Sequence, residues 1–566
     1  MSRTSVSPSA VDIEDRRRHR EVLEALSGLI MGMFVAILAG TVVSTSLPRI
    51  ISDLGGNQTA YTWVVTSTLL ATTVSTPIWG KLADLVNRKM LVQLALVIFV
   101  IGSALAGFSQ DTNTLIGFRV LQGLGAGGLT ALVQVVMADI VSPRERGRYM
   151  GLIGAVMAVA TIGGPLIGGL ITDSLGWRWN FYVALPFAIV ALVLIQRTLH
   201  LPKRAKRAVS IDYLGAVLIA GGVSLLLIWV SLGGSQFEWN SSTSWMMLGG
   251  AIALLVAAVI TELRVKEPII PLSLFTNRTY LFAVLASLSV GVAMFGVAVY
   301  LSQYLQLAKG HTPTEAGLLT LPMIVGLFGA STIVGGIISR TGIWKRYMVT
   351  GAVLLVLGVS LLGTISADTP YWMLAVFMFL LGLGLGMTMQ NLVLVTQNSL
   401  QPTQLGAGSA SIAFFRSLGG TIGVSALGAF LGSRVTSLVT DGLTTLDPAA
   451  AAAAGSRLSG GTIPVVSSLP GPIRTIVEHA YGQGVAEVFL LAAPLTLVTL
   501  LFIALLPNKP LGTKTAVQQL SESETHQGVA LQAERVLELG ANEIGSTTEG
   551  AADDRDHSRE SVADRR

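Results

Sequence analysis

The sequence predicts an all-α integral membrane protein built from fourteen spanning helices. Three observations carry that prediction. Fourteen apolar stretches between Leu26 and Leu506 are each long enough to cross a bilayer, basic residues crowd every second connection, and 12% of the chain is charged against 51% hydrophobic. A helix rises about 1.5 Å per residue, so about 20 apolar residues cover about 30 Å of hydrocarbon. Soluble domains carry about 25% charged residues, roughly twice this share. Gly is abundant at 62 residues, as expected where helices in lipid pack through small faces. Cys is absent, which excludes disulfides, thiolate catalysis and Cys-ligated metals.

The expected spans are 26–47, 59–82, 90–108, 113–137, 147–173, 178–197, 211–233, 243–263, 279–306, 315–338, 347–366, 371–395, 405–432 and 484–506. The connections after spans 2, 4, 6, 8 and 10 hold seventeen Lys and Arg; the short connections on the other side hold three, Arg49, Arg178 and Lys309. By the positive-inside rule the even connections face the cytoplasm. An even span count then puts both termini there, in agreement with the run Arg16-Arg17-Arg18-His19-Arg20. That run sits beside a span, so anionic lipid rather than nucleic acid is its expected partner. Residues 1–25 are polar and contain no short apolar core before a cleavage-like site, so span 1 is expected to remain as a helix.

Span 2 runs into Gly80-Lys81-Leu82-Ala83-Asp84-Leu85-Val86-Asn87-Arg88-Lys89. Gly80 lets two helices approach closely, and Asp84 is placed to accept hydrogen bonds from a helix N-terminus and to pair with an Arg. Arg88 and Lys89 also read as a positive-inside anchor, a reading that leaves Asp84 unexplained. Asn87 tolerates a left-handed backbone and so preserves the turn. In span 4, Arg119 lies about two turns inside the apolar stretch Leu115…Arg119…Gln122-Gly123. It either faces a cavity or partner, or snorkels to the headgroups. Span 5 carries Gly154…Gly163-Gly164-Pro165-Leu166-Ile167-Gly168-Gly169, where Pro165 bends the helix and the glycines permit a near-contact with a neighbour.

A weaker echo of the span-2 segment, Gly336 to Arg346, follows span 10. It divides the chain into a cytoplasmic segment 1–25, a six-helix bundle 26–200, an inserted pair 201–270, a second six-helix bundle 271–506 and a disordered cytoplasmic tail 507–566. The second bundle contains a long outward connection, 433–484, expected to be a flexible link. Repeated halves around a midplane cavity are the architecture of secondary transporters.

The Gly80 loop resembles the signature loop of the major facilitator superfamily, with Leu85 in place of that family's Arg and Asn87 in place of its Gly. The Arg119 segment resembles the superfamily's span-4 motif, whose Arg is associated with proton coupling. The Gly154–Gly169 pattern resembles the antiporter motif of its drug exporters. With Trp177-Arg178-Trp179-Asn180-Phe181, Asp212…Gly215 and Phe414-Phe415-Arg416-Ser417-Leu418-Gly419-Gly420, the chain is similar to the fourteen-span drug–proton antiporter family of the EmrB/QacA type over nearly all of residues 26–506. The resemblance implies the major facilitator fold and alternating access, in which Gly80, Asp84, Arg88 and Lys89 form a conformational switch. It also implies efflux of hydrophobic or amphiphilic molecules from the cell membrane, driven by a proton gradient without a cofactor.

That family's span-1 Asp is replaced here by Ala39. The candidate groups for coupling are Arg119, Glu315, Glu487 and Asp139, with Glu315 first and a helix N-terminal acid as its alternative reading. Gln303, Tyr304, Gln306, Gln390, Asn391, Phe414, Phe415 and Arg416 are candidates to line the cavity, suiting amphiphilic or weakly anionic compounds; bonding across helices for packing is the alternative reading of each amide, and individually the commoner role. A lipid or metabolite exporter, or a membrane sensor using the 60-residue tail, are the other readings. No clustered nucleophile, carboxylate pair or His-rich site points to an enzyme or a metal centre. A monomer is expected.

Overall fold

A computed structural model describes residues 8–55, 58–201, 212–234, 236–265, 268–311, 313–444, 470–513 and 518. The backbone there is helical, with one isolated bridge between Gly233 and Phe237. The helices are α1 (Pro8–Asp53), α2 (Gln58–Leu85), α3 (Arg88–Gly107), α4 (Thr112–Ile140), α5 (Pro143–Ser174), α6 (Trp179–Tyr182), α7 (Ala184–Thr198), α8 (Tyr213–Leu232) and α9 (Ser242–Arg264). They continue with α10 (Arg278–Gln303), α11 (Pro313–Leu319), α12 (Leu321–Thr341), α13 (Lys345–Leu362), α14 (Tyr371–Ser399), α15 (Leu405–Leu443) and α16 (Gly471–Leu505). Twelve helices among the described residues are long and apolar enough to cross a membrane. The Thr- and Ser-rich α2 and the Gly-rich α5 lie outside those twelve, though they are 28 and 32 residues long.

Side-chain caps set several helix starts, because the first amides of a helix have no partner within it. Asn87 Oδ1 accepts from Lys89 N and Met90 N to open α3. Its backbone is extended at φ −61°, so the turn is made by capping and not by the left-handed conformation expected. Asp111 accepts from Asn113 N and Thr114 N to open α4, and the bond from the Thr114 backbone first of all holds its carboxyl below the usual range.

Helix packing repeats across the two halves. In the first, α1 packs on α5 and α7, α2 on α4, and α3 on α4 and α7; in the second, α10 packs on α15 and α16, α12 on α14, and α13 on α14 and α16. The halves meet through a matched pair of interfaces, α2 with α15 and α5 with α12. Buried side chains divide likewise. One cluster gathers Leu26, Phe99 and Met137, another Tyr280, Met378 and Phe489. The inserted pair, α8 and α9, pack on each other, and α8 touches α2 and α15. Outward-facing Ile101, Val217, Trp245 and Ile252 are exposed, as suits a surface wetted by lipid.

Several boundaries differ from expectation for one reason: hydropathy marks where lipid ends, whereas a helix continues while its backbone bonds are made. α1 already begins at Pro8, α15 runs to Leu443 and α16 begins at Gly471. The outward connection therefore shrinks from 433–484 to 444–470, of which 445–469 lie outside the described residues. Span 6 divides into α6 and α7, and span 10 into α11 and α12. After α16 the chain is tied down: Lys345 Nζ donates to Leu506 O at 2.8 Å, Trp344 Nε1 to Lys509 O at 2.8 Å, and Asn398 Nδ2 to Pro510 O at 3.0 Å. The expected disorder beyond Thr513 lies outside the described residues, apart from residue 518.

Candidate functional site

Asp84 ends the last turn of α2 and faces the first turn of α15. Its Oδ1 accepts from Gly406 N and its Oδ2 from Ala407 N, both at 2.9 Å. An anion at a helix N-terminus meets unpaired amides and the positive end of the helix dipole. Hydrogen bonds to a charged group contribute about 1.5–3 kcal/mol each. The contact needs backbones in near-touch. A Cβ on Gly80 would sit 2.1 Å from Ala410 Cβ, and one on Gly406 would sit 2.3 Å from Gly80 O. Arg88, itself 3% exposed, donates to Asp84 Oδ1 at 3.2 Å, to Ala83 O at 2.8 Å, and forms an ion pair with Asp139. One guanidinium thus holds the carboxylates of α2 and α4 while α2 caps a helix of the other bundle. Lys89 does not join this cluster; its Nζ reaches Gln196 O at 2.8 Å, at the end of α7.

A second link lies on the same face. Arg146, in the first turn of α5, is 2% exposed and donates through Nη1 to Gln397 Oε1 on α14, through Nε to Val141 O at 2.9 Å and through Nη2 to Ala138 O at 3.0 Å. Gln397 Nε2 then donates to Ser409 Oγ of α15 at 2.8 Å. By sequence Arg146 is one of the basic residues of the connection after span 4, and Gln397 carries no local signal. The bond joins residues 251 positions apart, and no motif spacing signals it.

Deeper in the first bundle, Arg119 is 5% exposed. Its Nη1 donates to Gln122 Oε1 at 2.6 Å, Gln122 Nε2 donates to Ser103 Oγ at 3.2 Å, and Ser103 Oγ donates to Phe181 O at 2.9 Å. It is therefore held by neutral groups inside the bundle and does not snorkel. In the antiporter segment, Gly164 and Gly168 press on α1. A Cβ there would meet Thr41 Oγ1 at 2.0 Å or Val42 O at 2.7 Å, and Thr41 Oγ1 donates to Ala160 O at 3.2 Å. Gly163 and Gly169 have open space or a contact within α5. Gly154 and Pro165 are helical, but their side chains, and with them the bend expected at Pro165, lie outside the described residues.

The remaining candidates are scattered. Glu315 is exposed on the short α11, 3.6 Å from His311 Nδ1, and is not in the bundle interior. Glu487 lies well inside α16, paired through both oxygens with Arg434 of α15 at 2.6 and 2.9 Å and accepting from Gln483 Nε2 at 3.0 Å. It borders a cleft of about 450 Å³ lined also by His479, Gln483, Thr364 and Ser366.

Tyr304 opens a π-helical turn after α10 and is fully buried, donating through its hydroxyl to Ser366 O at 2.7 Å. Gln303 ends α10 just before that turn; Gln306 Nε2 donates to Ser302 Oγ, and Asn391 Nδ2 to Met387 O. Gln390 Oε1 is buried and unpaired. Phe414 and Phe415 pack with Val74, Ile219 and Val223, seating the inserted pair against α2 and α15. Among these eight cavity candidates, Arg416 alone presents a buried charge. No cluster of His, Asp or Glu suited to a metal occurs among the described residues.

A family model of the Major Facilitator Superfamily matches residues 29–424. The chain belongs to that superfamily. It is similar to the multidrug transporter protein MdtP of Bacillus subtilis, 37% identical over 453 residues that cover 79% of this chain and 82% of MdtP. Multidrug resistance protein 3 of the same species is 31% identical, with 84% of this chain and 94% of the relative covered. The efflux pump dotC of Dothistroma septosporum is 32% identical, with 88% and 85% covered. Among solved structures, the human organic anion transporter MFSD10 matches with a TM-score of 0.56 at 15% identity over 84% of this chain and 99% of its own. The proton:xylose symporter XylE matches with a TM-score of 0.53 at 13% identity over 88% and 100%. These two show the fold. The helix pairing described above is thus the major facilitator arrangement, and this superfamily member is a multi-pass membrane transporter.

Proposed function

We propose that the protein exports hydrophobic or amphiphilic small molecules by proton antiport, its two six-helix bundles rocking to open a shared path alternately to each side of the membrane. The observation that carries this reading is the cap of Asp84 on α15. It joins the bundles across one face, is broken by a small separation of the helices, and is backed there by Arg146 and Gln397. The basic connections α2–α3 and α4–α5 lie at that face, so charge asymmetry makes it the cytoplasmic side of the cell membrane. The conformation described is then closed to the cytoplasm, with both termini on that side. α2 and α5 complete fourteen spans, and α8, backed by α9, braces α2 and α15 from outside.

The energy source is the proton gradient, no cofactor is needed, and the working unit is a monomer. With Ala39 at the usual span-1 acid position, coupling falls to another carboxylate. Glu487 is the choice supported best, since its Arg434 partner stands on the helix whose end is latched by Asp84. Purified protein in vesicles, given a membrane-permeant dye, tests the whole reading. Dye export under an inward proton gradient, with proton release on adding substrate across a pH series, supports it. Export that ignores the gradient removes antiport, and movement of a single lipid species alone replaces multidrug efflux by lipid export.

A further inference from the structure

Arg416 carries the least compensated charge in the described interior. It is 8% exposed, and no hydrogen bond, ion pair or ring contact ties its guanidinium to a described residue. Arg88, Arg119 and Arg146 are as deeply buried, and each is held by two or more acceptors. The unpaired polar atoms sealed off in the interior, such as Gln134 Oε1 and Gln390 Oε1, do not include its nitrogens, so the guanidinium borders open space.

Its depth rules out the headgroup region as a partner. Arg416 stands ten residues beyond Gly406, the residue capped at the inner face, which is about 15 Å along the helix axis. That is about half the hydrocarbon thickness of about 30 Å, too far for the stem to snorkel. The backbone is also fixed: a Cβ on Gly291 of α10 would lie 2.0 Å from Arg416 O. Nearby helices supply no counter-ion, because the described carboxylates within the spans are engaged elsewhere. Asp84 and Asp139 hold Arg88, Glu487 holds Arg434, and Glu262 accepts from Ile269 N and Ile270 N.

We propose that Arg416 receives the oxyanion headgroup of an amphiphilic substrate, a carboxylate or a compact sulfonate or phosphate, whose apolar body lies among the bundle side chains. The proposal rests on the efflux reading above and names the substrate class of its path. A buried guanidinium without a counter-ion is costly, so the interior favours a ligand that supplies the missing charge and disfavours a cation. The planar fork matches two oxygens of one anion, a fit a lysine cannot reproduce.

The test compares dansyl-labelled undecanoic acid with dansyl-labelled undecylamine on the full chain in nanodiscs, by fluorescence anisotropy. The wild type should bind the acid about tenfold or more tightly than the amine, the scale of one charge-assisted hydrogen bond. Arg416→Gln should erase that preference, and Arg416→Lys should keep part of it. Equal binding of the two probes, preference for the amine, or a preference that survives Arg416→Gln overturns the proposal. Should the variants fail to fold, a photoreactive undecanoate on the wild type decides: labelling of α15 around Arg416 supports the site, and labelling confined elsewhere overturns it. Proton-driven export of the amine or of a neutral probe without binding of the acid sinks the anion site and leaves the efflux reading standing. Binding of the acid as expected while no probe is exported does the reverse.

Discussion

Asp84 and Gly406 are joined by a hydrogen bond of 2.9 Å across 322 positions of sequence, carboxylate to helix-end amide, with a neighbouring bond to Ala407. Asp84→Asn keeps one acceptor oxygen but loses the second and the charge that pairs with Arg88. Because the chain has no native Cys, a single Ala413→Cys in the buried part of α15 reports opening of this face. Labelling should speed up about tenfold in the Asp84→Asn background, a shift of about 1.4 kcal/mol, and transport should slow. Unchanged labelling would mean that Asp84 does not hold the face shut.

Gly406→Ala tests the same contact from the other side. The added Cβ would lie 2.3 Å from Gly80 O and 2.5 Å from Asp84 Oδ1, so backbone must move. Overpacking of this kind costs about 1–3 kcal/mol. The expected outcome is a transporter that is expressed and labels readily at Ala413→Cys yet turns over slowly. A fully active Gly406→Ala would show that the close approach is not needed in the cycle.

Gln397→Leu removes the acceptor that Arg146 reaches in the opposite bundle and leaves that arginine its two carbonyl partners. A lost bond to a charged group is worth about 1.5–3 kcal/mol. Labelling and efflux rates for Gln397→Leu, Asp84→Asn and the double variant form a cycle. A double effect that differs from the sum marks two links acting as one lock; simple additivity would make them independent.

Glu487→Gln should flatten the pH dependence of transport in reconstituted vesicles while substrate binding persists. Glu315→Gln should leave that dependence intact, since Glu315 is exposed beside His311. The opposite pair of results would move coupling to α11.

Arg119→Ala deletes the donor at the head of the Gln122–Ser103–Phe181 chain and leaves Gln122 Oε1 without its donor, a cost of about 1–3 kcal/mol. Efflux should be lost at a melting temperature lowered by only a few degrees. Normal efflux would restrict Arg119 to packing.

Much of the Asp84 contact was legible because its logic is local. Gly80, Asp84 and Arg88 sit within one loop, and an acid with no place in hydrocarbon beside a small residue already implies a helix N-terminus as partner. The identity of that helix was not legible, nor was Asp139 as the second carboxylate on Arg88. Arg146 was counted as a charge on a connection, because nothing local distinguishes an arginine that faces lipid headgroups from one buried against Gln397. Composition alone marks Phe414 and Phe415 as apolar, and only the fold shows that they pack against the inserted pair. Glu315 was favoured for its place near the start of a span, before that span divided into α11 and α12.

From its own residues the chain determines that it lives in lipid, which stretches become helices and which connections carry positive charge. These follow from hydrocarbon thickness and from the need of every backbone group to be paired within its own segment. Only the tertiary structure decided which helices pair across the bundles, which buried arginines are satisfied and that Arg416 is not. Contacts between residues hundreds of positions apart depend on how helices tilt and close on one another, and hydropathy carries no record of that.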